Sequence, residues 1–224
     1  MGHVIQIGTS GMQCIGAYLA TPQGAPKGGI VVVQEIFGVN AYVRSVADRF
    51  AQHGYTSIAP AFFDHLESGV ELGYDRGSIA RGRALANEIP FDLAISDVAS
   101  AAQSISSAGR VGCVGYCWGG TVALLAATRL AMPGVSYYGA RNVNFLDEKA
   151  NAPMQFHFGA KDTSIPSAAI ERHRNALPNA EIFVYASAGH AFDRQIDAHA
   201  FEADSAKLAL ERTLAFFDRT LAVA

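Results

Sequence analysis

The chain has no basic run, no long apolar run and only three cysteines, and each shortage removes a class of function. Lys and Arg together number 17 against 20 Asp and Glu, a formal net charge of -3. That balance leaves no electrostatic footprint for nucleic acid, so any affinity for an anion has to come from a few local arginines. No apolar stretch reaches the ~20 residues that span a bilayer, and no membrane partner is expected. Cys14, Cys113 and Cys117 are an odd set without framework spacing, which fits free thiols in a reducing compartment rather than a disulfide scaffold. Met1-Gly2-His3-Val4 lacks the charged and apolar regions of a secretory leader, so a cytoplasmic location is expected. No His/Cys/Asp cluster has metal-ligand spacing, and Gly112–Gly120 lacks the Lys-Ser/Thr of a phosphate loop. Neither a metal nor a nucleotide cofactor is expected.

What is present is core. Half of the 224 residues are hydrophobic and 17% are charged, which suits one α/β domain over 1–224, expected to act as a monomer. Val4–Ile7 and Gln13–Ala20 read as a leading hairpin, and Gly29-Ile30-Val31-Val32-Val33 as a strand buried on both faces. Asn40 caps a helix from Ala41 to about His53, in which Val43, Val46, Ala47 and Phe50 fall at helical spacing. Thr56–Ala59, Val135–Tyr138, Met154–Phe158 and Glu181–Tyr185 are further strands, and helices are expected at Asp92–Ile105, Ser167–Ala176 and Asp204–Leu221. Residues 62–90, with Gly69, Gly73, Gly77 and Gly82, read as a loop and a short helix over the sheet. Strands alternating with helices predict a mostly parallel sheet with helices on both faces.

The most informative stretch is Gly115-Tyr116-Cys117-Trp118-Gly119-Gly120, between the apolar strand from Arg110 to Val114 and an Ala/Leu-rich helix from Thr121 to Leu130. This is the G-x-Nuc-x-G spacing of a nucleophile elbow in its strand–turn–helix context, with cysteine where serine usually stands. The turn lifts Cys117 from the sheet and aims a helix N-terminus at its sulfur. A buried structural cysteine in a Gly-rich turn is the competing reading.

A thiol nucleophile needs a base, and the base needs a carboxylate to hold its tautomer. On an α/β-hydrolase sheet the order is nucleophile, acid, histidine, each beyond a strand. Asp162 follows Met154–Phe158 and His190 follows Glu181–Tyr185, and a turn aspartate and a surface histidine are their plainer readings. His157 falls inside a strand, His173 and His199 on expected helices, His53 at a helix end, and His65 in the irregular region. Gln34-Glu35-Ile36-Phe37-Gly38 follows the Ile30–Val33 strand, where this fold takes its second oxyanion amide. The backbone N–H groups of Ile36 and Trp118 are therefore the expected oxyanion donors. Glu35, a carboxylate in an apolar stretch, needs a partner. Either it forms a salt bridge, with Arg44 as the candidate, or it stands against Cys117.

Three segments together resemble the dienelactone hydrolase (carboxymethylenebutenolidase) family: Gln34–Asn40, Gly115–Gly120 and Ala188-Gly189-His190-Ala191-Phe192-Asp193-Arg194. The resemblance runs from the N-terminal hairpin to the Glu211–Leu214 helix. It implies a Cys117-His190-Asp162 triad, an oxyanion hole at Ile36 and Trp118, and a switching role for Glu35, which would take the thiol proton when an anionic substrate binds. It implies recognition of the substrate carboxylate by Arg194 and a second arginine. Arg81 aligns with that position through Phe91-Asp92, with Arg76 and Arg83 as rivals. Tyr138 either lines the pocket or is a core residue. The implied reaction is opening of a small anionic lactone to a maleylacetate-type keto acid, as in the degradation of aromatic compounds. The chain departs from the family around Leu85 and Glu88, where aromatic residues are expected, and at Trp118, where a smaller residue is usual. A broader carboxylesterase or thioesterase with the same triad, and a non-catalytic thiol redox sensor, are the alternatives.

Overall fold

The computed structural model describes residues 2–9 and 14–222. Residues 10–13 lie outside it, so the expected hairpin connection and its first residue, Gln13, are outside the described residues. Among the described residues eight strands form one sheet: β1 (His3–Gly8), β2 (Cys14–Ala20), β3 (Gly29–Val33), β4 (Thr56–Pro60), β5 (Val111–Tyr116), β6 (Gly134–Tyr137), β7 (Met154–Gly159) and β8 (Glu181–Tyr185). Their order across the sheet is β1-β2-β4-β3-β5-β6-β7-β8. The leading pair is antiparallel, β2 runs antiparallel to β4, and every later pairing is parallel. Six α-helices of the described residues cross between or follow the strands: α1 (Ala41–Gln52), α2 (Arg76–Glu88), α3 (Phe91–Ser104), α4 (Trp118–Arg129), α5 (Ser167–Ala176) and α6 (Ala203–Thr220). This is the α/β-hydrolase topology.

Local chemistry accounts for the elements that carry the site. β3 is buried along its whole length, as its β-branched run requires at the centre of a parallel sheet. The Asn40 side chain caps α1 by accepting from the Val43 N–H, and Tyr42, Val43, Val46, Ala47 and Phe50 form its buried face. α4 is buried from Trp118 to Thr128, which is why its apolar residues run all round rather than along one stripe. Two hydrophobic clusters result, one on each face of the sheet. α1 and α6 contribute to one, and α3 contributes to the other.

The region 62–90 is more regular than its glycines suggest. A short 3-10 turn at Phe62–His65 is followed by the 13-residue α2. Asp75 starts this helix by accepting from the Gly77 and Ser78 amides. Gly82 is a packing residue inside the helix rather than a breaker: a Cβ there would stand 2.0 Å from the Ile36 carbonyl oxygen. α2 therefore lies directly on the turn after β3. A second difference is His199, expected on a helix. It lies in the irregular run between β8 and α6, a path bent by turns from Ala191 to Ala200.

Candidate active site

Four strands deliver the site from their C-terminal ends. β3 leads into Glu35 and Ile36, β5 into Cys117, β7 into Asp162 and β8 into His190. Cys117 has φ 54°, a left-handed conformation that non-glycine residues rarely adopt. The strain is held by close backbone packing on both sides. A Cβ on Gly115 would stand 1.8 Å from the Gly119 carbonyl oxygen, and one on Gly119 would stand 2.4 Å from that of Gln34. Glycine alone permits this approach, so the chain turns from β5 into α4 within one residue. Cys117 is the N-cap of α4, at the positive end of the helix dipole. Cys113, four residues earlier, is fully buried, and that burial pushes its thiol pKa up.

His190 Nδ1–H donates to Asp162 Oδ2 at 2.7 Å, and Asp162 Oδ1 accepts from the Ser164 amide at 2.8 Å. Cys117 and the same imidazole line one cavity, and the sulfur acts electrostatically on the ring. Burial acts to lower the His190 pKa, but the Cys117 sulfur and the Asp162 carboxylate outweigh it, and the imidazole is pushed up to about 10. Cys117, His190, Ile36 and Trp118 share a cavity of about 350 Å³. As the first residue of α4, Trp118 has an amide without an intrahelical acceptor.

Glu35 is 1% exposed, and its partner is Arg194, not Arg44 or Cys117. Arg194 Nη2 and Nε donate to its two oxygens at 2.9 and 3.0 Å. Arg44 instead pairs with Glu71 at 2.6 Å. Arg194 also donates to Asp197 at 2.9 Å, and its guanidinium lies 4.3 Å from the Tyr74 ring centroid and 5.1 Å from that of Phe37. Burial opposes its charge, but Glu35 more than compensates and raises its pKa further. Arg194 touches the cavity, yet its donors are directed to protein carboxylates.

Two expected binding residues lie elsewhere. Arg81 is outside the cavity and is half exposed in an ion pair with Glu67. The reason is helical geometry: Ile79 and Arg83, four residues apart, present one face of α2 to the cavity. Arg81 sits about 200° round the helix from either, at 3.6 residues per turn. Tyr138 is fully buried behind the site, its ring 5.0 Å from that of His190 and its hydroxyl 3.4 Å from that of Tyr42. His65 bonds Asp97 at 2.8 Å and does not line the cavity.

Two features have no local sequence signal. The first is Asp193, fully buried, which accepts from Tyr42 Oη and Arg49 Nη2, each at 2.8 Å. Tyr42 and Arg49 are seven residues apart on α1, two turns on one face, so α1 grips the loop that carries His190 and Arg194. The second is Arg141, beyond β6, which lines the cavity and donates to Asn87 Oδ1 at 2.6 Å.

An eight-stranded sheet of this order, with the elbow at the end of its central β5, makes the chain an α/β-hydrolase. Residues 15–221 match the Dienelactone hydrolase family, and the chain belongs to that family. It is 31% identical to a carboxymethylenebutenolidase of Pseudomonas putida, over 90% of this chain and 89% of that protein. A Synechocystis protein provisionally named carboxymethylenebutenolidase is 34% identical over 80% of this chain and 81% of its own. A crystal structure of a provisionally assigned dienelactone hydrolase from Klebsiella pneumoniae superimposes with a TM-score of 0.85 at 30% identity, covering 97% and 98% of the two chains. The protein is a dienelactone-hydrolase-like hydrolase of carboxylic esters. Among the described residues no helix is long and apolar enough to cross a membrane.

Proposed function

We propose that the protein opens a small anionic lactone of the carboxymethylenebutenolide type to a maleylacetate-type keto acid, with Cys117 as nucleophile. The observation that carries this reading is the His190–Asp162 hydrogen bond, with His190 and Cys117 lining one cavity. His190 holds the thiol proton, and Asp162 holds the imidazole in the Nδ1–H tautomer and stabilises its positive charge. The thiolate attacks the ring carbonyl carbon, a C–S bond forms, and the carbonyl electron pair moves to oxygen. The Ile36 and Trp118 amides face that oxyanion, where charge develops only along the reaction.

Collapse of the intermediate breaks the ring C–O bond and leaves an enolate tethered to a thioester. Water then attacks the thioester, giving its proton to the enolate, or to His190 once the imidazolium has passed the thiol proton to the enolate. The C–S bond breaks, the thiolate is regenerated, and the enol product rearranges to the ketone. Glu35 is an accessory group. Paired to Arg194 it fixes the turn that carries the Ile36 amide, and on release from Arg194 it is a second acceptor for the thiol proton.

The test is ring opening of carboxymethylenebutenolide followed by ultraviolet absorbance, beside hydrolysis of neutral p-nitrophenyl acetate. Wild type should open the lactone with the higher kcat/KM, and Cys117→Ala should abolish both reactions while the fold, by circular dichroism, is kept. Faster turnover of the neutral ester would replace the lactonase reading with a broader carboxylesterase. Retained hydrolysis in Cys117→Ala would remove Cys117 as nucleophile.

A further inference from the structure

We infer that Gly82 is a positioning residue for the hydrolysis: its contact with the Ile36 carbonyl lets α2 hold the Glu35–Ile36 peptide, and with it the Ile36 amide, in place. The inference rests on the role of that amide as an oxyanion donor and adds the helix that sets its position. Gly82, Leu85 and Ala86 are the buried residues of α2, and their i, i+3, i+4 spacing puts them on one face. Leu85 and Ala86 belong to the same hydrophobic cluster as Trp118, and Ile36 packs against it. At Gly82 the approach is backbone to backbone. A Cβ there would stand 2.0 Å from the Ile36 carbonyl oxygen and 3.0 Å from its carbonyl carbon, so only glycine fits. Gly77, on the same helix, is exposed, and a Cβ there would meet Asp75 Oδ1 at 3.1 Å.

The turn is pinned on both sides of the peptide that carries the Ile36 N–H. Before it, the Gln34 carbonyl packs on Gly119, where a Cβ would stand 2.4 Å away. After it, the Phe37 carbonyl accepts from the Leu72 N–H at 2.9 Å, and Gly38 forms a β-bridge with Glu71. A Cβ on Gly38 would stand 1.8 Å from the Val70 carbonyl oxygen. A push on the Ile36 carbonyl is therefore not absorbed beyond Phe37. It passes back into the Glu35–Ile36 peptide and turns the N–H away from the oxyanion. Glu35 ties the same peptide to Arg194, but that tie opens when Glu35 exchanges partners. The Gly82 contact is steric and carries no charge, so it keeps the amide in position while Glu35 moves.

Gly82→Ala tests this, with Gly77→Ala as its control, because alanine is the better helix former at both positions. Losing an oxyanion donor costs about 10²–10³ in kcat, so displacing one should lower the kcat of Gly82→Ala by roughly ten- to a hundred-fold. KM should change by less than about three-fold, since the interaction is made in the transition state. The loss should be the same for carboxymethylenebutenolide and for p-nitrophenyl acetate, because both pass through an oxyanion. Iodoacetamide alkylates the Cys117 thiolate by displacing iodide from a saturated carbon, and no oxyanion forms. Its rate at the Cys117 peptide, followed by mass spectrometry, should therefore stay within about two-fold of wild type. Gly77→Ala should match wild type in both assays. An unchanged kcat, an alkylation rate that falls with kcat, or a Gly77→Ala loss as large as that of Gly82→Ala would each overturn the inference. So would a Gly82→Ala chain that is unfolded by circular dichroism. Retained hydrolysis in Cys117→Ala would instead overturn the nucleophile, so the two failures are distinct.

Discussion

Glu35 and Arg194 meet through two parallel hydrogen bonds of 2.9 and 3.0 Å, although 159 residues separate them in the chain. Glu35 lies two residues beyond β3 and next to Ile36, and Arg194 lies four residues beyond His190. One buried ion pair thus ties the turn after β3 to the loop that carries His190. A buried charge whose partner is removed costs about 3–5 kcal/mol. Arg194 keeps Asp197, so Glu35→Ala should lower the free energy of unfolding in urea by up to about 3 kcal/mol and impair hydrolysis, whereas Glu35→Gln, which keeps one acceptor, should lose less of both. Equal midpoints for Glu35→Ala and wild type would show that the pair does not hold the two loops.

His190 sets a dependence on pH. Its folded pKa lies above the ordinary imidazole value of about 6.5, because Cys117 and Asp162 outweigh the opposing effect of burial. The protonated form is thus the one favoured by folding. The stability it contributes is fully present below about pH 6.5 and is lost as pH rises through about 10. The stability advantage of wild type over His190→Gln should be constant near pH 6 and shrink between pH 7 and 10. An advantage that grows with pH in the same denaturation series would reverse the sign of this linkage.

Asp193 anchors the histidine loop to α1 through Arg49 and Tyr42. Burial raises the Asp193 pKa and Arg49 opposes that effect, so the carboxylate depends on its partner to stay charged. Asp193→Ala leaves the Arg49 charge buried and unpaired, and a loss of about 3–5 kcal/mol is expected. Tyr42→Phe removes a single hydrogen bond to a charged group, worth about 1.5–3 kcal/mol. Chemical denaturation of the two variants checks the order, which fails if Tyr42→Phe is the more damaging.

The elbow makes a steric prediction. In Gly115→Ala the new methyl would meet backbone of Gly119, and neither strand nor helix has a flexible side chain to give way. A loss of about 2–4 kcal/mol is expected from forced backbone shifts, together with a fall in kcat as the Cys117 sulfur moves from His190. Thermal melts and steady-state kinetics would measure both. A variant with wild-type melting and rate would show that the elbow tolerates a wider turn.

Much of the architecture is legible in local pattern. The β-branched run at Ile30–Val33 reads as a strand buried on both faces, and Asn40 before an apolar helical stripe reads as a capped helix. Both signals come from interactions within a few residues of one another, so tertiary context had little to override. The region 62–90 was harder, because a glycine chosen for close packing and one chosen for a turn look alike in sequence. Gly82 belongs to the first kind, and only its distance to the Ile36 carbonyl reveals it. Arg81 and Arg83 differ by two positions, yet helical rotation puts one on Glu67 and the other on the cavity. Arg141 has no motif around it, and only the fold brings β6 and α2 to the same rim.

By itself the sequence determines the order of Cys117, Asp162 and His190 and their position beyond three strands. Strand ends in a parallel sheet converge at one edge, so chain order there is already spatial order. The sequence also determines that Glu35 needs a partner, since a carboxylate in an apolar stretch is costly when unpaired. Only the tertiary structure decides that the partner is Arg194, that α1 grips Asp193, and that Arg83 rather than Arg81 faces the cavity. Those choices depend on helix faces and on ion pairs between distant segments. Charges attract according to distance in space, which local sequence pattern does not encode.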